Sequence, residues 1–295
     1  MKSANSIYLV DDDEDDMMLL KEALENAIVS VCITEVGDGK ELIDLINLKN
    51  PASLPALILM DMNMPRVNGL EALFALKSSL KTQHIPVIMI STSTDQQLIR
   101  KAYEEGVCAF IIKPVSILDY RMVAEAVNVC FLNNYGYVQK PAVFRDFTNK
   151  SILVIEDNPD HWELMQLGLK QNLPDVKVIR LSDKVSTLNF LTDEWNHLKP
   201  PPELIILDLY LPTRREGLNL LDSIRYFFIL HRLIPVPVIV FSSSDSQEDV
   251  DACYQHRASA YMIKNLNFTS SYLYFHDLCD FWWRIITLPK KLRIQ

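Results

Sequence analysis

Short apolar runs recur along the chain, and amphipathic segments lie between them. Runs of four to five residues rich in Ile, Val and Leu stand, for example, at 7–10, 57–60 and 152–155. Continuous runs of this kind are typical of strands that are buried on both faces of a parallel sheet. Apolar residues at helical spacing, as in 20–28 and 117–132, predict helices between the strands. This alternation predicts a doubly wound α/β fold in each half.

The two halves of the sequence repeat each other in order. Four blocks recur, each an apolar run that ends in polar residues. The paired blocks are 7–16 with 152–160, 56–65 with 203–212, 86–91 with 237–242, and 109–113 with 260–264. The offset between equivalent residues grows only from 145 to 151 along the chain, so the differences are confined to small loop insertions. An ordered repeat of this length predicts two copies of one domain.

The repeat divides the chain into two predicted domains. We place the first at 1–135 and the second at 150–295, with a linker at 136–149 that shows no clear periodicity. A chain of 295 residues exceeds the usual size of a single domain, in agreement with this division.

Composition narrows the classes of function. The net charge of −9 argues against a nucleic-acid-binding protein. No apolar stretch approaches the roughly 18 residues of a membrane span, and acidic residues directly after 7–10 are incompatible with a secretory signal. Five widely spaced cysteines without a C-x-x-C pair favour reduced thiols. We therefore expect a cytoplasmic protein that binds neither membrane nor nucleic acid.

Polar residues follow the apolar runs directly. In the first half these residues are Asp11, Asp12, Asp61, Ser91 and Lys113. Because the carboxyl ends of parallel strands meet at one edge of a sheet, we expect these side chains to lie together. Carboxylates brought together repel one another unless a cation joins them, and oxygen ligands suit Mg²⁺. An aspartate can also attack phosphorus, while a lysine and a hydroxyl stabilise the transferring phosphoryl group.

These blocks resemble the receiver domains of bacterial response regulators, over 5–132 and 150–288. The resemblance implies two flavodoxin-like domains, each with a five-stranded parallel sheet and one Mg²⁺. It implies an acidic pair that binds the metal, an aspartate that accepts the phosphoryl group, and a serine and a lysine that coordinate it. By motif these residues are Asp11, Asp12, Asp61, Ser91 and Lys113 in the first half, and Glu156, Asp157, Asp208, Ser242 and Lys264 in the second.

The resemblance also implies further site residues and partners. The metal-ligating backbone carbonyl would come from Asn63 and Tyr210, and the aromatic switch residues would be Phe110 and Tyr261. The phosphoryl donor would be a sensor histidine kinase or a histidine phosphotransfer protein. Phosphorylation would change the binding of a downstream protein partner, and the family often forms a homodimer. We expect a self-phosphorylating switch rather than an enzyme, with no DNA-binding output domain.

Two departures from the family pattern support an alternative hypothesis for the function. Asn265 stands in the second half where Pro114 follows Lys113 in the first, and the longer segment after Asp208 carries Arg214 and Arg215. One or both sites could therefore be vestigial, in a scaffold that binds partners without phosphorylation. A phosphatase with an Asp nucleophile and a D-x-D motif is a further alternative, but the sequence lacks the second aspartate that would act as the general acid.

For some polar and aromatic residues we predict a structural role or no role in function. We expect residues 13–16 to be a solvated helix start, where acidic side chains suit the helix dipole. His161 shows no ligand spacing and is given no role. In the last helix Leu278, Cys279 and Trp282 would face inward, which leaves Phe281 or Trp283 partly outward. Such residues are covered by the first domain or the linker, or they form a partner surface.

Overall fold

A computed structural model of the chain describes residues 5–132, 147–264 and 273–290. The described residues form two compact units. Most of the predicted linker, and Asn265, lie outside the described residues. Within the described ranges, no helix has both the length and the apolar character of a membrane span.

The first unit is a five-stranded parallel sheet flanked by helices. Its strands are β1 Ser6–Val10, β2 Cys32–Val36, β3 Leu57–Asp61, β4 Val87–Ser91 and β5 Ala109–Ile112. Its helices are α1 Glu14–Ala27, α2 Gly39–Leu48, α3 Gly69–Ser78, α4 Gln96–Glu104 and α5 Ile117–Leu132, with a short 3₁₀ turn at Pro51–Ser53. The strand order is β2-β1-β3-β4-β5, so β2 and β5 are the edges.

The second unit repeats this architecture. Its strands are β6 Ser151–Ile155, β7 Lys177–Leu181, β8 Leu204–Asp208, β9 Val238–Ser242 and β10 Ala260–Ile263. Its helices are α6 Pro159–Asn172, α7 Lys184–Asn189, α8 Arg214–Leu230, α9 Gln247–Gln255 and α10 Leu273–Asp280, and shorter π or 3₁₀ segments are Phe190–Glu194, Trp195–His197 and Phe281–Ile285. The order β7-β6-β8-β9-β10 matches that of the first sheet. The predicted fold class is therefore confirmed.

The apolar runs form the buried centre of each sheet. Every residue of β3 and of β8 is buried, including the aspartate that ends each strand. Helices cover both faces, which is why these strands read as continuous apolar runs rather than alternating ones. The first helix of each unit begins at a side-chain cap: Asp13 accepts backbone N–H groups of α1, and Asn158 does the same for α6. The caps fix the helix start beside the first strand.

The C-terminal residues differ from the expected division at 150–295. The described residues from Trp283 onward group with the first unit rather than the second. The physical reason is that Ile286 pairs antiparallel with Ile111 of β5, and the Thr287 N–H donates to the Phe110 carbonyl at 2.8 Å. This segment lies on the free edge of the first sheet.

The aromatic residues that precede this segment are covered more completely than the sequence predicts. Leu278, Cys279 and Trp282 are buried, as the helical stripe predicts, but Phe281 is buried as well and Trp283 is half-buried. The turn at Phe281–Ile285 is π-helical rather than α-helical. Wider helical turns change the angular spacing of successive side chains, so an α-helical stripe does not describe them.

Candidate functional site

The predicted polar residues of each half converge at the carboxyl end of the sheet. In the first unit Asp61 ends β3 and Ser91 ends β4, while Asp11 and Lys113 follow β1 and β5 directly. Because the four strands are parallel neighbours, their ends open on one side of the sheet. Segments that are distant in sequence therefore contribute to one site.

Three carboxylates of the first unit form a group that could hold a metal ion. Asp11, Asp12 and Asp61 place carboxylate oxygens within 4.8 Å of one another. Asp61 is buried, and one of its oxygens accepts the backbone N–H of Asn63 at 2.7 Å. Burial raises the pKa of Asp61 and, separately, the pKa of Asp11. Oxygen ligands with negative charge suit a hard divalent cation, so the group fits Mg²⁺.

Lys113 lies closer to the acidic residues around Asp61 than to Asp61 itself. Its Nζ is 2.6 Å from Asp16 Oδ2, 3.0 Å from Asp11 Oδ2 and 4.0 Å from Asp61 Oδ1. Burial would lower the pKa of Lys113, but hydrogen bonds to Asp16 and Asp11 outweigh it and raise that pKa. The hydroxyl of Tyr120 donates to Asp16 at 2.9 Å. Asp16 thus holds the Lys113 ammonium group beside Asp61 without direct contact between the lysine and Asp61.

Ser91 at the end of β4 and Phe110 in β5 are both removed from solvent. Ser91 is fully buried, and its Oγ accepts the backbone N–H of Ser93 at 3.1 Å. The side-chain amide of Asn63 donates to the same oxygen at 3.4 Å. Phe110 is fully buried. The hydroxyl is therefore fixed by the loop that follows β4, at the same carboxyl end of the sheet as Asp61.

Gly69 allows helix α3 to begin against the end of β3. A Cβ at this position would lie 2.3 Å from the carbonyl oxygen of Asp61 and 2.8 Å from the Cα of Met62. Both atoms belong to the backbone, which cannot move aside without shifting Asp61. Only glycine fits this close approach.

The second unit brings Glu156, Asp208 and Lys264 into a buried cluster. The Lys264 Nζ is 2.7 Å from Glu156 Oε2 and 3.1 Å from Asp208 Oδ1. The side chains of Lys264, Glu156 and Asp208 are only 2%, 1% and 7% exposed, so the three charges are almost fully desolvated. Burial raises the pKa of Glu156, and the attraction of Lys264 opposes this shift.

His161 joins this cluster, although sequence reasoning gave it no role. Its Nδ1 is 3.3 Å from Lys264 Nζ and 3.5 Å from Glu156 Oε1. His161, Glu156 and Asp208 place ligand atoms within 4.8 Å of one another, and Asp157 lines a cavity of about 400 Å³ beside Asp208. The missed signal is the repeat itself, because His161 follows Asp16 by the same 145 residues that separate Glu156 from Asp11. Asp16 was predicted from the sequence to be solvated, but it pairs with Lys113.

The remaining residues of the second site are held by helix α9 and its preceding loop. The backbone N–H of Tyr210 donates to Asp208 Oδ1 at 3.4 Å, and its hydroxyl donates to Asp249 Oδ2 at 2.9 Å. Arg214 Nε lies 2.5 Å from Asp249 Oδ1, so this arginine pairs with α9. The ring of Tyr261 is buried, and its hydroxyl donates to the carbonyl of Ser244 at 2.8 Å.

Ser242 of the second site repeats the arrangement of Ser91. Ser242 is fully buried, and its Oγ accepts the backbone N–H of Ser244 at 3.2 Å. Each site therefore combines a buried aspartate, a serine hydroxyl and a lysine ammonium group. These are the groups that a phosphoryl transfer to a carboxylate requires.

Comparison with known proteins identifies the repeated unit. A family model described as the response regulator receiver domain matches residues 7–125 and again residues 152–271. The probable methanogenesis regulatory protein FilR2 of Methanothrix harundinacea (strain 6Ac) is 34% identical over 128 residues, which are 43% of this chain and 83% of that protein. The response regulator Rcp1 of Synechocystis sp. is 32% identical over 141 residues, 48% of this chain and 93% of that protein.

Solved structures show the same coverage. The crystal structure of the phosphorylated cyanobacterial phytochrome response regulator RcpA aligns with a TM-score of 0.41 and 29% identity, over 46% of this chain and 99% of that one. The Mn²⁺-bound form of Rcp1 aligns with a TM-score of 0.41 and 26% identity, over 47% and 99%.

Proposed function

Because the chain belongs to the response regulator receiver family through both of its halves, we propose that Asp61 accepts a phosphoryl group from the phosphohistidine of a sensor kinase or a phosphotransfer protein. Receiver domains of this family are signalling switches rather than classical enzymes. The observation that carries the proposal is the approach of Asp11, Asp12 and Asp61 to within 4.8 Å, with the Lys113 ammonium 4.0 Å from Asp61.

The residues of the first site have distinct roles in this reaction. A carboxylate oxygen of Asp61 forms a bond to phosphorus while the bond from phosphorus to the donor nitrogen breaks, and the electron pair stays on that nitrogen. Lys113 exchanges its contact with Asp16 for one with the phosphoryl oxygens, and the Ser91 hydroxyl donates to another of these oxygens. The Lys113 Nζ is 4.0 Å from Asp61 Oδ1, and Ser91 ends the strand that neighbours the strand of Asp61.

Asp11, Asp12, Asp61 and the Asn63 carbonyl would hold one Mg²⁺. When bound, the ion neutralises charge on the carboxylates and on the incoming phosphoryl oxygens. Asp61 is buried among other carboxylates, and this arrangement is costly without such a cation. The donor set consists entirely of oxygen, which suits Mg²⁺.

Asp208 is proposed as a second and slower acceptor. Asp208, Glu156, Asp157 and the Tyr210 carbonyl would hold the metal ion of this site, and Ser242 and Lys264 would coordinate the phosphoryl group. Lys264 already pairs with Asp208 at 3.1 Å and with Glu156 at 2.7 Å, and both contacts must change before Asp208 can react. The specific observation that favours the alternative, a scaffold role for the second domain, is this same buried cluster.

Phosphorylation would change which protein partner the chain binds. Movement of Lys113 would alter the surroundings of Phe110, which is buried in β5 and precedes Lys113 by three residues. A change of this kind shifts the populations of two conformations rather than creating a new one.

Intact-mass spectrometry after treatment with acetyl phosphate and Mg²⁺ tests the proposal. Wild type would be compared with Asp61→Asn and with Asp208→Asn. Two added phosphoryl groups, each removed by one substitution, are expected after long incubation. A single addition that Asp61→Asn abolishes would make the second domain a binding module. No addition in any protein would overturn the acceptor role of both aspartates and favour the scaffold.

A further inference from the structure

The C-terminal segment 286–290, here called the tail, occupies the edge strand β5 of the first sheet. Edge strands present unpaired N–H and C=O groups and can accept a further strand. Ile286 pairs antiparallel with Ile111, and the Thr287 N–H donates to the Phe110 carbonyl at 2.8 Å. Ile286 is buried, with 8% of the residue exposed. The tail therefore acts as a short additional strand.

Helix α4 holds the other side of the tail. The Tyr103 hydroxyl donates to the Thr287 carbonyl at 3.1 Å, and the Arg100 guanidinium donates to the Lys290 carbonyl at 3.1 Å. The backbone N–H of Lys290 donates to Gln96 Oε1 at 2.7 Å. All three contacts involve tail backbone, and the three helix residues are spaced along one face of α4. The surface thus recognises an extended backbone more than a particular set of side chains.

The same strand connects the tail to the phosphoryl-acceptor site. Phe110 accepts from the tail through its carbonyl, and its N–H donates to the Tyr103 hydroxyl at 3.2 Å. Three residues further on, the backbone N–H of Lys113 donates to the Ser91 carbonyl at 2.8 Å. The residues that would move on phosphorylation are therefore carried by the strand on which the tail docks.

We propose that the tail is an intramolecular ligand of the β5–α4 surface and that phosphorylation of Asp61 weakens its binding, which opens this edge to an extended segment of a partner protein. The inference rests on the proposed function of Asp61. A phosphoryl group on Asp61 draws Lys113 away from Asp16, now 2.6 Å from it, and displaces the end of the four-residue strand β5. Because β5 has only four residues, a displacement at Lys113 would also shift the backbone of Phe110, to which the tail is hydrogen-bonded.

Hydrogen–deuterium exchange of the full chain tests this coupling. Exchange is measured at the amides of Thr287 and Lys290, before and after acetyl phosphate and Mg²⁺, with the phosphoryl group on Asp61 verified by mass on the same sample. About tenfold faster exchange is expected in the phosphorylated chain, and no change in Asp61→Asn. Unchanged exchange in a chain that carries the phosphoryl group overturns this inference alone. A chain that accepts no phosphoryl group at Asp61 overturns the proposed function and this inference with it.

Tyr103→Phe provides the reciprocal test. This variant keeps the ring but removes the hydroxyl that joins the Thr287 carbonyl to β5, so we expect about fivefold faster exchange at Thr287 without phosphorylation, the effect of losing one hydrogen bond. Because coupling between two sites is reciprocal, the same variant should phosphorylate more extensively at Asp61. Looser tail binding with unchanged phosphorylation would contradict the coupling.

The second unit offers a matched control. The Tyr254 hydroxyl accepts the backbone N–H of Tyr261 at 3.3 Å, as Tyr103 does for Phe110. Tyr254→Phe should leave exchange at Thr287 and phosphorylation of Asp61 as in wild type. An equal effect of the two substitutions would mean that the change is a general loss of stability and would overturn the proposal.

Discussion

Lys113 and Lys264 follow the last strand of their sheets at equivalent positions, but they are held by different partners. In the first unit Asp16 pairs with Lys113 at 2.6 Å, and the ammonium group lies 4.0 Å from the proposed acceptor Asp61. In the second unit His161 stands in place of Asp16, and Lys264 lies 3.1 Å from Asp208. The residue in the first turn of the first helix therefore differs between the two sites, and so does the distance from the lysine to the proposed acceptor aspartate.

The two lysines also differ in their exposure to water. The side chain of Lys113 is 11% exposed and that of Lys264 is 2% exposed. Charges that are removed from water depend on one another, because neither can be solvated if its partner is lost. The charged groups of the first site are therefore partly solvated, whereas those of the second site form a buried ion cluster.

The largest expected effect is on stability. Lys264→Met leaves Glu156 and Asp208 buried without a cation, and we expect a loss of about 3–5 kcal/mol in the free energy of unfolding. Lys113→Met should cost clearly less, because its partners are more exposed. Urea denaturation followed by circular dichroism, which reports on the helices and strands of both units, measures both losses. Glu156→Gln added to Lys264→Met should restore part of the loss. Equal losses for the two lysine variants would remove the distinction drawn between the sites.

The second-largest expected effect is a difference in Mg²⁺ affinity between the two sites. Mg²⁺ at the second site must compete with the Lys264 ammonium for Glu156 and Asp208, so we expect about tenfold weaker binding than at the first site, equivalent to ~1.4 kcal/mol. Calorimetric titration of Asp61→Asn reports on the second site, and titration of Asp208→Asn reports on the first. Tighter binding in Asp61→Asn than in Asp208→Asn would show that Lys264 does not obstruct the metal.

Swapping the residue types at Asp16 and His161 should change the phosphorylation rates of the two sites in opposite directions. His161→Asp gives Lys264 a third carboxylate and should raise the rate of phosphorylation at Asp208 about fivefold, or ~1 kcal/mol in the barrier. Asp16→His should slow the reaction at Asp61 by a similar factor. Mass spectrometry over a time course with acetyl phosphate gives both rates. If the two exchanges change the rates in the same direction, the position of the lysine is not what separates the sites.

The smallest expected effect is on stability and concerns Tyr210, two residues after Asp208. Tyr210→Phe removes the hydrogen bond to Asp249 and should cost about 0.5–1.5 kcal/mol of stability, at the low end because Tyr210 is partly exposed. Tyr226→Phe, another exposed tyrosine of the second unit, serves as a control and should have a smaller effect. Thermal unfolding of the two variants compares them. No difference between them would show that the hydrogen bond from Tyr210 to Asp249 does not contribute to stability.

The sequence predicts the sheets and most of the site because both depend on short-range pattern. Apolar runs that end in Asp61 and Asp208 identify buried strands and the edge where they open. Asp16 and His161 were not predicted, since their contact with a lysine depends on how the first helix packs beside the last strand. An acidic helix start at 13–16 is also satisfied by solvent and by the helix dipole, so the pattern alone does not distinguish the two cases.

The pairing of the tail with β5 could not be predicted from the sequence for a different reason. Its apolar content is brief, and its partner strand lies far away along the chain, so no periodicity connects the two. The repeat also suggested that residues up to 295 belong with the second half. Pairing between Ile286 and Ile111 is a tertiary fact that depends on the path of the whole chain.

The pairing of Ile286 with Ile111 has a consequence for biosynthesis. These residues are 175 positions apart, so at roughly 5–20 residues per second the ribosome adds the tail about 10–35 s after β5. During that interval a nascent first domain can form its five strands but still lacks the strand that covers its edge. An open edge can pair with another chain, and nascent chains on one messenger RNA are close neighbours. Slow translation of the second half would lengthen this exposed interval, and misassembly between polysomal neighbours would increase with it.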